Sequence, residues 1–176
     1  MLRRFPVLIV SALMLTWTGT ALGQAAELAA APDDPAALRA EIDRLKSIVP
    51  GQAFAMTQVA YNVSNLWFAV EAQNWPLAEF YLNETRVRLR WAIRITPTRR
   101  TSGGQLELQP LLDQVENGAW ANLHEIVEDQ DDSGFAAAYD AMLGACYGCH
   151  VASEKPFLKL VRPQRPAEAL IEFEPH

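Results

Sequence analysis

Four stretches of this chain repeat apolar residues at the period of a helix, and each is bounded by residues that stop or restart one. Over residues 52 to about 73, Met56, Val59 or Ala60, Val63, Trp67 and Val70 share one face, with polar residues between them. Asn74-Trp75-Pro76 then interrupts and restarts the chain, because proline is tolerated in a first helical turn and disfavours helix in the residue before it. The second stretch runs to about residue 95 through Leu77, Phe80, Tyr81, Val87, Trp91 and Ile95, and stops before Pro97 and the loop TPTRRTSGG. Leu108, Leu111, Leu112, Val115, Ala119, Leu123, Ile126 and Val127 continue the period in a third, with a break expected at Asn117-Gly118. After the turn EDQDDSG, Asp132 or Ser133 is the expected cap of a fourth stretch that carries Phe135, Tyr139, Met142 and Cys146. No strand signal competes. Burying four such stripes with short loops predicts an all-α fold, an antiparallel four-helix bundle, with Trp67, Phe68, Trp91 and Trp120 in its core.

The flanks carry different information. Arg3 and Arg4 precede an apolar run over residues 5 to about 17, and Ala21-Leu22-Gly23 offers a cleavage site, so residues 1–23 read as a signal peptide. The alternative is a weak retained anchor, since the run falls short of the roughly 20 apolar residues of a span. No later stretch is long enough to cross a bilayer. Residues 24–34 are expected to be a flexible lead-in, and residues 35–176 a single helical domain. That domain begins with an extra helix whose stripe Leu38, Ile42, Leu45 and Val49 wants a partner, before Pro50-Gly51 ends it. Pro156, Pro163, Pro166 and Pro175 bar a long helix from the tail and predict an irregular, extended segment over the bundle. Removing Arg3 and Arg4 takes the 15 lysines and arginines to 13 against 21 acidic residues, a net charge of about −8. That balance argues against a nucleic-acid partner.

Both cysteines fall in GACYGCHVAS, as Cys146-Tyr147-Gly148-Cys149-His150. Cys-x-x-Cys-His on a helix sets two thiols where they can add to the two vinyl groups of one haem, while the following histidine turns toward the iron. Three other readings stand beside it. A disulfide suits an oxidising compartment. A thioredoxin-like dithiol would want its first cysteine at a helix N-terminus, whereas Cys146 lies late in a helix. A zinc site would need four well-placed ligands, and the other histidines, His124 and His176, lie far along the chain. Covalent haem attachment takes place outside the cytoplasm, so the signal peptide favours haem c and a periplasmic location.

The helix order with the motif late in the last helix resembles the class II c-type cytochromes, cytochrome c prime and its low-spin relatives. The resemblance spans roughly residues 52–152, and its specific part is Cys146, Cys149 and His150. Two features depart from it: 26 residues follow His150, where cytochrome c prime ends soon after its motif, and the helix at 35–49 is extra. More loosely, SNLWFAVEAQNWPLAEFY is similar to a segment of small exported bacterial cytochromes. The resemblance implies dimerisation through the first two bundle helices, hence a possible homodimer.

In an up-down-up-down bundle the end of the fourth helix lies beside the start of the first. Met56, six residues after Pro50, sits ~9 Å into that helix, near the level of the haem. Its thioether is a suitable sixth ligand, as in the low-spin relatives that the chain resembles, and pairing it with His150 raises the potential. The alternative is a methionine that only fills a gap beside the porphyrin, leaving the iron five-coordinate. His124 lies ~21 Å from that end by the same helical rise. His176, Lys155 and Lys159 are lesser candidates. Among the arginines gathered at 86–100, Arg94, Arg99 and Arg100 fall at the haem end and could hold propionates or guide an acidic partner, against the plainer reading of a solvated helix face. The expected function is one-electron transfer to an unidentified redox partner protein, with no catalytic cluster. Gas binding at an open or displaceable sixth position is the rival, and a haem subunit of a larger periplasmic enzyme the third reading.

Overall fold

A computed structural model describes residues 34–167 and 171–175. The expected signal peptide, the lead-in up to residue 33 and His176 lie outside them. The protein is predominantly helical with one small sheet. In order, the elements are α1 (Pro35–Ile48), α2 (Gln52–Glu71), α3 (Trp75–Ile95), β1 (Thr98–Thr101), β2 (Gly104–Glu107), α4 (Gln109–Val115), a π-helical turn (Glu116–Trp120), α5 (Ala121–Glu128) and α6 (Asp132–Ala152). No described helix is long and apolar enough to cross a membrane. The chain separates into two compact units, dividing after Ile48. In the first, α1 has the expected stripe, but none of its residues is buried: Leu38, Ile42 and Leu45 are all exposed.

In the second unit α2 and α3 fold back on each other through a tight connection. Ala55, Ala69, Ala78 and Ala92 are wholly buried, so small side chains let the two helices approach closely. This moves the buried face of α3 away from the expected one. Tyr81, Leu82 and Thr85 are buried with Ala78 and Ala92, whereas Phe80 and Val87 are exposed. Thr85 tolerates burial because its hydroxyl donates to the Tyr81 carbonyl at 2.8 Å. α3 also packs on α5, and α6 packs on α2, α4, the π turn and α5. The main core gathers Leu66, Val70, Leu82, Leu123, Tyr139 and Met142. Of the four aromatics expected there only Trp120 is buried; Trp67 is half-buried against Phe135 and Tyr139.

The third helix is interrupted where Asn117-Gly118 suggested, by the π turn rather than a break. The extra residue shifts the helical phase, burying Trp120 while Glu116 meets α3. There Arg90 donates two hydrogen bonds of 2.7 Å to the Glu116 carboxylate and Arg86 adds one of 3.4 Å. The Arg86 guanidinium also lies 4.5 Å over the Trp120 ring. The Arg90 and Arg86 contacts hold the Glu116 carboxyl below its ordinary value against an opposing effect of burial.

Two further departures are local. β1 and β2 form an antiparallel hairpin that the sequence reading missed, pairing Thr98 with Glu107, Arg99 with Leu106 and Arg100 with Gln105. Its Ser102-Gly103 loop is a two-residue hairpin signal, and Gly104 takes φ +115°, which glycine permits. The cap of α6 is Asp131 rather than Asp132 or Ser133. Its carboxylate accepts from the Ser133 and Gly134 amides at 3.0 and 3.1 Å and from the Ser133 hydroxyl at 2.6 Å. Helices α2, α5 and α6 all end in Schellman turns with a non-glycine residue in the left-handed region: Gln73, Gln130 and Glu154 at φ 54°, 55° and 58°.

A Cβ on Gly134 would lie 2.4 Å from Asp131 Oδ2 and 2.8 Å from Ile126 Cδ1. Gly134→Ala is therefore expected to lower unfolding free energy by about 1–3 kcal/mol, measured by urea denaturation. Glu116→Gln is expected to cost about 1–2 kcal/mol at neutral pH, given the exposure of Arg90. A carboxyl with a lowered folded pKa stabilises most above its unfolded value, about 4.3, and loses that contribution as pH falls through the folded value. The gap between wild type and Glu116→Gln should thus close below about pH 4 in a pH series of the same measurement.

Candidate functional site

The last two turns of α6 carry Cys146, Cys149 and His150, at spacings of three and four residues that share one helical face. All three line a cavity of about 760 Å³, within the 300–1,000 Å³ or so of small-molecule and cofactor sites. Met56, on the second turn of α2, lines the same cavity. One buried hydrogen bond accounts for their common level. The Tyr139 hydroxyl donates to the Val63 carbonyl at 2.9 Å, tying α6 to α2. Cys146 lies seven residues after Tyr139 and Met56 seven before Val63, so each stands two turns, ~10.5 Å, from that bond. The rest of the wall is mostly aliphatic, including Val59, Ile93, Leu112 and Leu143.

Among the described residues, the charged side chains in the lining are cationic: Arg99, Lys155 and Lys159. The hairpin explains why Arg99 is there and Arg100 is not. Neighbouring strand residues point to opposite faces, and Leu106, across from Arg99, packs on Ile93, Leu108 and Leu112. Arg99 therefore faces the protein, where it donates to the Gln52 side-chain carbonyl, while Arg100 is exposed on the other side. Arg94 is exposed on the last turn of α3 and is not part of the lining. His124 stands away from the cavity, stacked on Trp120 at 4.9 Å and 3.7 Å from Glu128.

Neither cysteine is in a disulfide. Residues three apart on a helix hold their Cβ atoms about 5–6 Å apart, beyond the 3.5–4.5 Å or so of a disulfide. Burial pushes the Cys146 thiol up to about 12, with Cys149 adding to the effect. Burial also raises Cys149, although the Ser153 hydroxyl and Arg99 pull the other way. Thiols that stay protonated at the C-terminal, negative end of a helix dipole are poor nucleophiles, which weighs against a redox dithiol. His150 Nδ1 is 2.9 Å from the Leu158 carbonyl. A carbonyl only accepts, so Nδ1 is the donor, and in the neutral ring Nε2 then keeps its lone pair.

One part of this site was not legible in advance. The tail supplies wall residues Leu158, Leu160 and Val161 besides both lysines, and it reaches the cavity through a turn at Lys155-Pro156 whose direction depends on the Schellman turn at Glu154. Comparison with models of known protein families, with curated proteins and with solved structures finds no match for this chain. Tyr139→Phe removes only the hydroxyl that ties α6 to α2, and is expected to lower unfolding free energy by about 1 kcal/mol in urea denaturation.

Proposed function

We propose that this chain is an exported, periplasmic c-type cytochrome, similar to class II members, that carries one haem c and transfers single electrons. In this reading the helices of the second unit form an antiparallel four-helix bundle of α2, α3, the α4–α5 rod and α6, with α1 an extra N-terminal helix and an irregular C-terminal tail. Pairwise packing of those four rods supports it. The observation that carries the functional reading is that two thiols, an imidazole and a thioether line one largely aliphatic cavity whose charged residues, among those described, are cationic.

Those residues fit a covalently held haem. Cys146 and Cys149 would form the thioether bonds, and His150 would offer Nε2 to the iron because its other nitrogen is engaged. Met56 would be a second, soft donor, suited to iron of raised potential. Arg99, and with it Lys155 and Lys159 in place of Arg94 and Arg100, would neutralise the propionates. When bound, haem iron supplies a one-electron change between its ferric and ferrous states. At a haem held there, one electron would enter from a reduced partner protein and leave to an oxidised one, with no bond made or broken. The largely aliphatic wall gives the site an apolar surrounding. No role as an enzyme is proposed.

Mature protein made in a host that attaches haem should exceed the polypeptide mass by one haem, and Cys146→Ser with Cys149→Ser should lose all of it. The reduced wild type should show a low-spin spectrum unchanged by carbon monoxide. Met56→Ala should convert it to a high-spin form that binds the gas and has a lower potential, read by absorbance and redox titration. A high-spin, gas-binding wild type would favour gas binding or sensing over electron transfer. A low-spin Met56→Ala variant would show that another residue is the ligand.

A further inference from the structure

Resting on that haem reading, we propose that segment 155–167 is a clamp that orients His150 for ligation and closes one wall of the cavity, with Arg162 as the residue that locks it.

The path of the segment carries the proposal. At the end of α6, Glu154 takes the left-handed conformation and the Lys155 amide donates to the His150 carbonyl at 2.8 Å, so the chain reverses. The segment then runs back along α6, making a contact at each stage. The Tyr147 hydroxyl donates to the Pro156 carbonyl at 3.0 Å, and His150 Nδ1 donates to the Leu158 carbonyl at 2.9 Å. Arg162 reaches residues some two to four turns earlier in the helix. Its Nε and one terminal nitrogen donate to the two Asp140 oxygens, and the latter nitrogen also reaches the Ala136 carbonyl at 3.2 Å. The guanidinium lies 4.9 Å over the Trp67 ring of α2. Finally the Ala167 amide donates to Asn65 Oδ1 at 3.0 Å, so the segment crosses from α6 to α2.

Between those anchors, Leu158, Leu160, Val161 and Pro163 line the cavity, and Leu160 packs on the main core. An imidazole free to rotate about its side-chain bonds would present either nitrogen or neither. A carbonyl held opposite Nδ1 selects the tautomer and ring orientation that aim Nε2 at a metal. The carbonyl belongs to the backbone, so its position depends on what fixes the segment on either side. Four residues beyond it, Arg162 holds a planar two-point fork on a carboxylate while stacking on an aromatic face, a combination that lysine does not reproduce. Arg162 is thus a positioning residue. It acts on His150 through the segment, not by contact with the reacting atoms.

The test is the rate at which the His150 Nδ1 proton of the full-length, haem-loaded protein exchanges with solvent, followed by nuclear magnetic resonance with ¹⁵N-histidine labelling. Arg162→Leu and the milder Asp140→Asn should each accelerate that exchange about tenfold or more, with the haem mass and the amide protection of α2 and α3 unchanged. Arg162→Lys should fall between wild type and Arg162→Leu. Trypsin should also cut at Lys159 sooner in the variants than in wild type. A Nδ1 proton that exchanges at the wild-type rate in both Arg162→Leu and Asp140→Asn overturns the clamp. A wild type without covalent haem overturns the haem reading instead, and the same proton, measured in the haem-free chain, then still decides whether the segment orients His150.

Discussion

The hydrogen bond from the Tyr139 hydroxyl to the Val63 carbonyl sets the register of α6 against α2, and the site follows from that register. Tyr139 is almost wholly buried among Trp67, Phe135 and the main core, so its hydroxyl has no water to turn to. Parting the two groups would leave the hydroxyl without a partner in an apolar surrounding, which is costly. Two turns away on each helix, Cys146 and Met56 line one cavity as a consequence. A single buried polar contact thereby fixes the relative level of groups that are 90 residues apart in sequence.

Charge is sorted by position more sharply than composition suggests. The chain carries a net −6, yet among the described residues the charged ones at the cavity are cationic. The arginines between 86 and 100 take different roles. Arg86 and Arg90 close on Glu116 and hold the π turn to α3, while Arg88 pairs with Glu84 along α3 itself. Arg99 is turned inward by strand alternation, and the proposed propionate contacts fall to it and to two lysines of the tail. A ligand bearing carboxylates suits this arrangement better than a neutral one.

Burial also separates the candidate chemistries of the cysteines. Their thiols are held protonated, at helical spacing too wide for a disulfide and at the wrong end of a helix for a thiolate. The same placement, with His150 held by the Leu158 carbonyl, is what the proposed thioether attachment and axial ligation require. Oxidation of the two thiols to a disulfide would have to draw them together against the helical spacing, the Schellman turn and the tail packed along α6.

Residue pattern alone determined the helical class, the boundaries at Pro50, Asn74 and Pro97, the interruption near Asn117-Gly118 and the grouping of Cys146, Cys149 and His150 on one face. Those features depend on interactions within a few residues, and local spacing encodes them. The buried side of α3 was misread because Ala78 and Ala92 are chosen by the closeness of α2, while Phe80 and Val87 match the period equally well and are left outside. Arg99 could not be told from Arg100 until the hairpin set which face each takes. Only the tertiary structure decided that the tail returns along α6 to line the cavity, because its course follows from contacts such as Arg162 with Asp140 and Ala167 with Asn65, between residues 22 and 102 positions apart, which no local pattern carries.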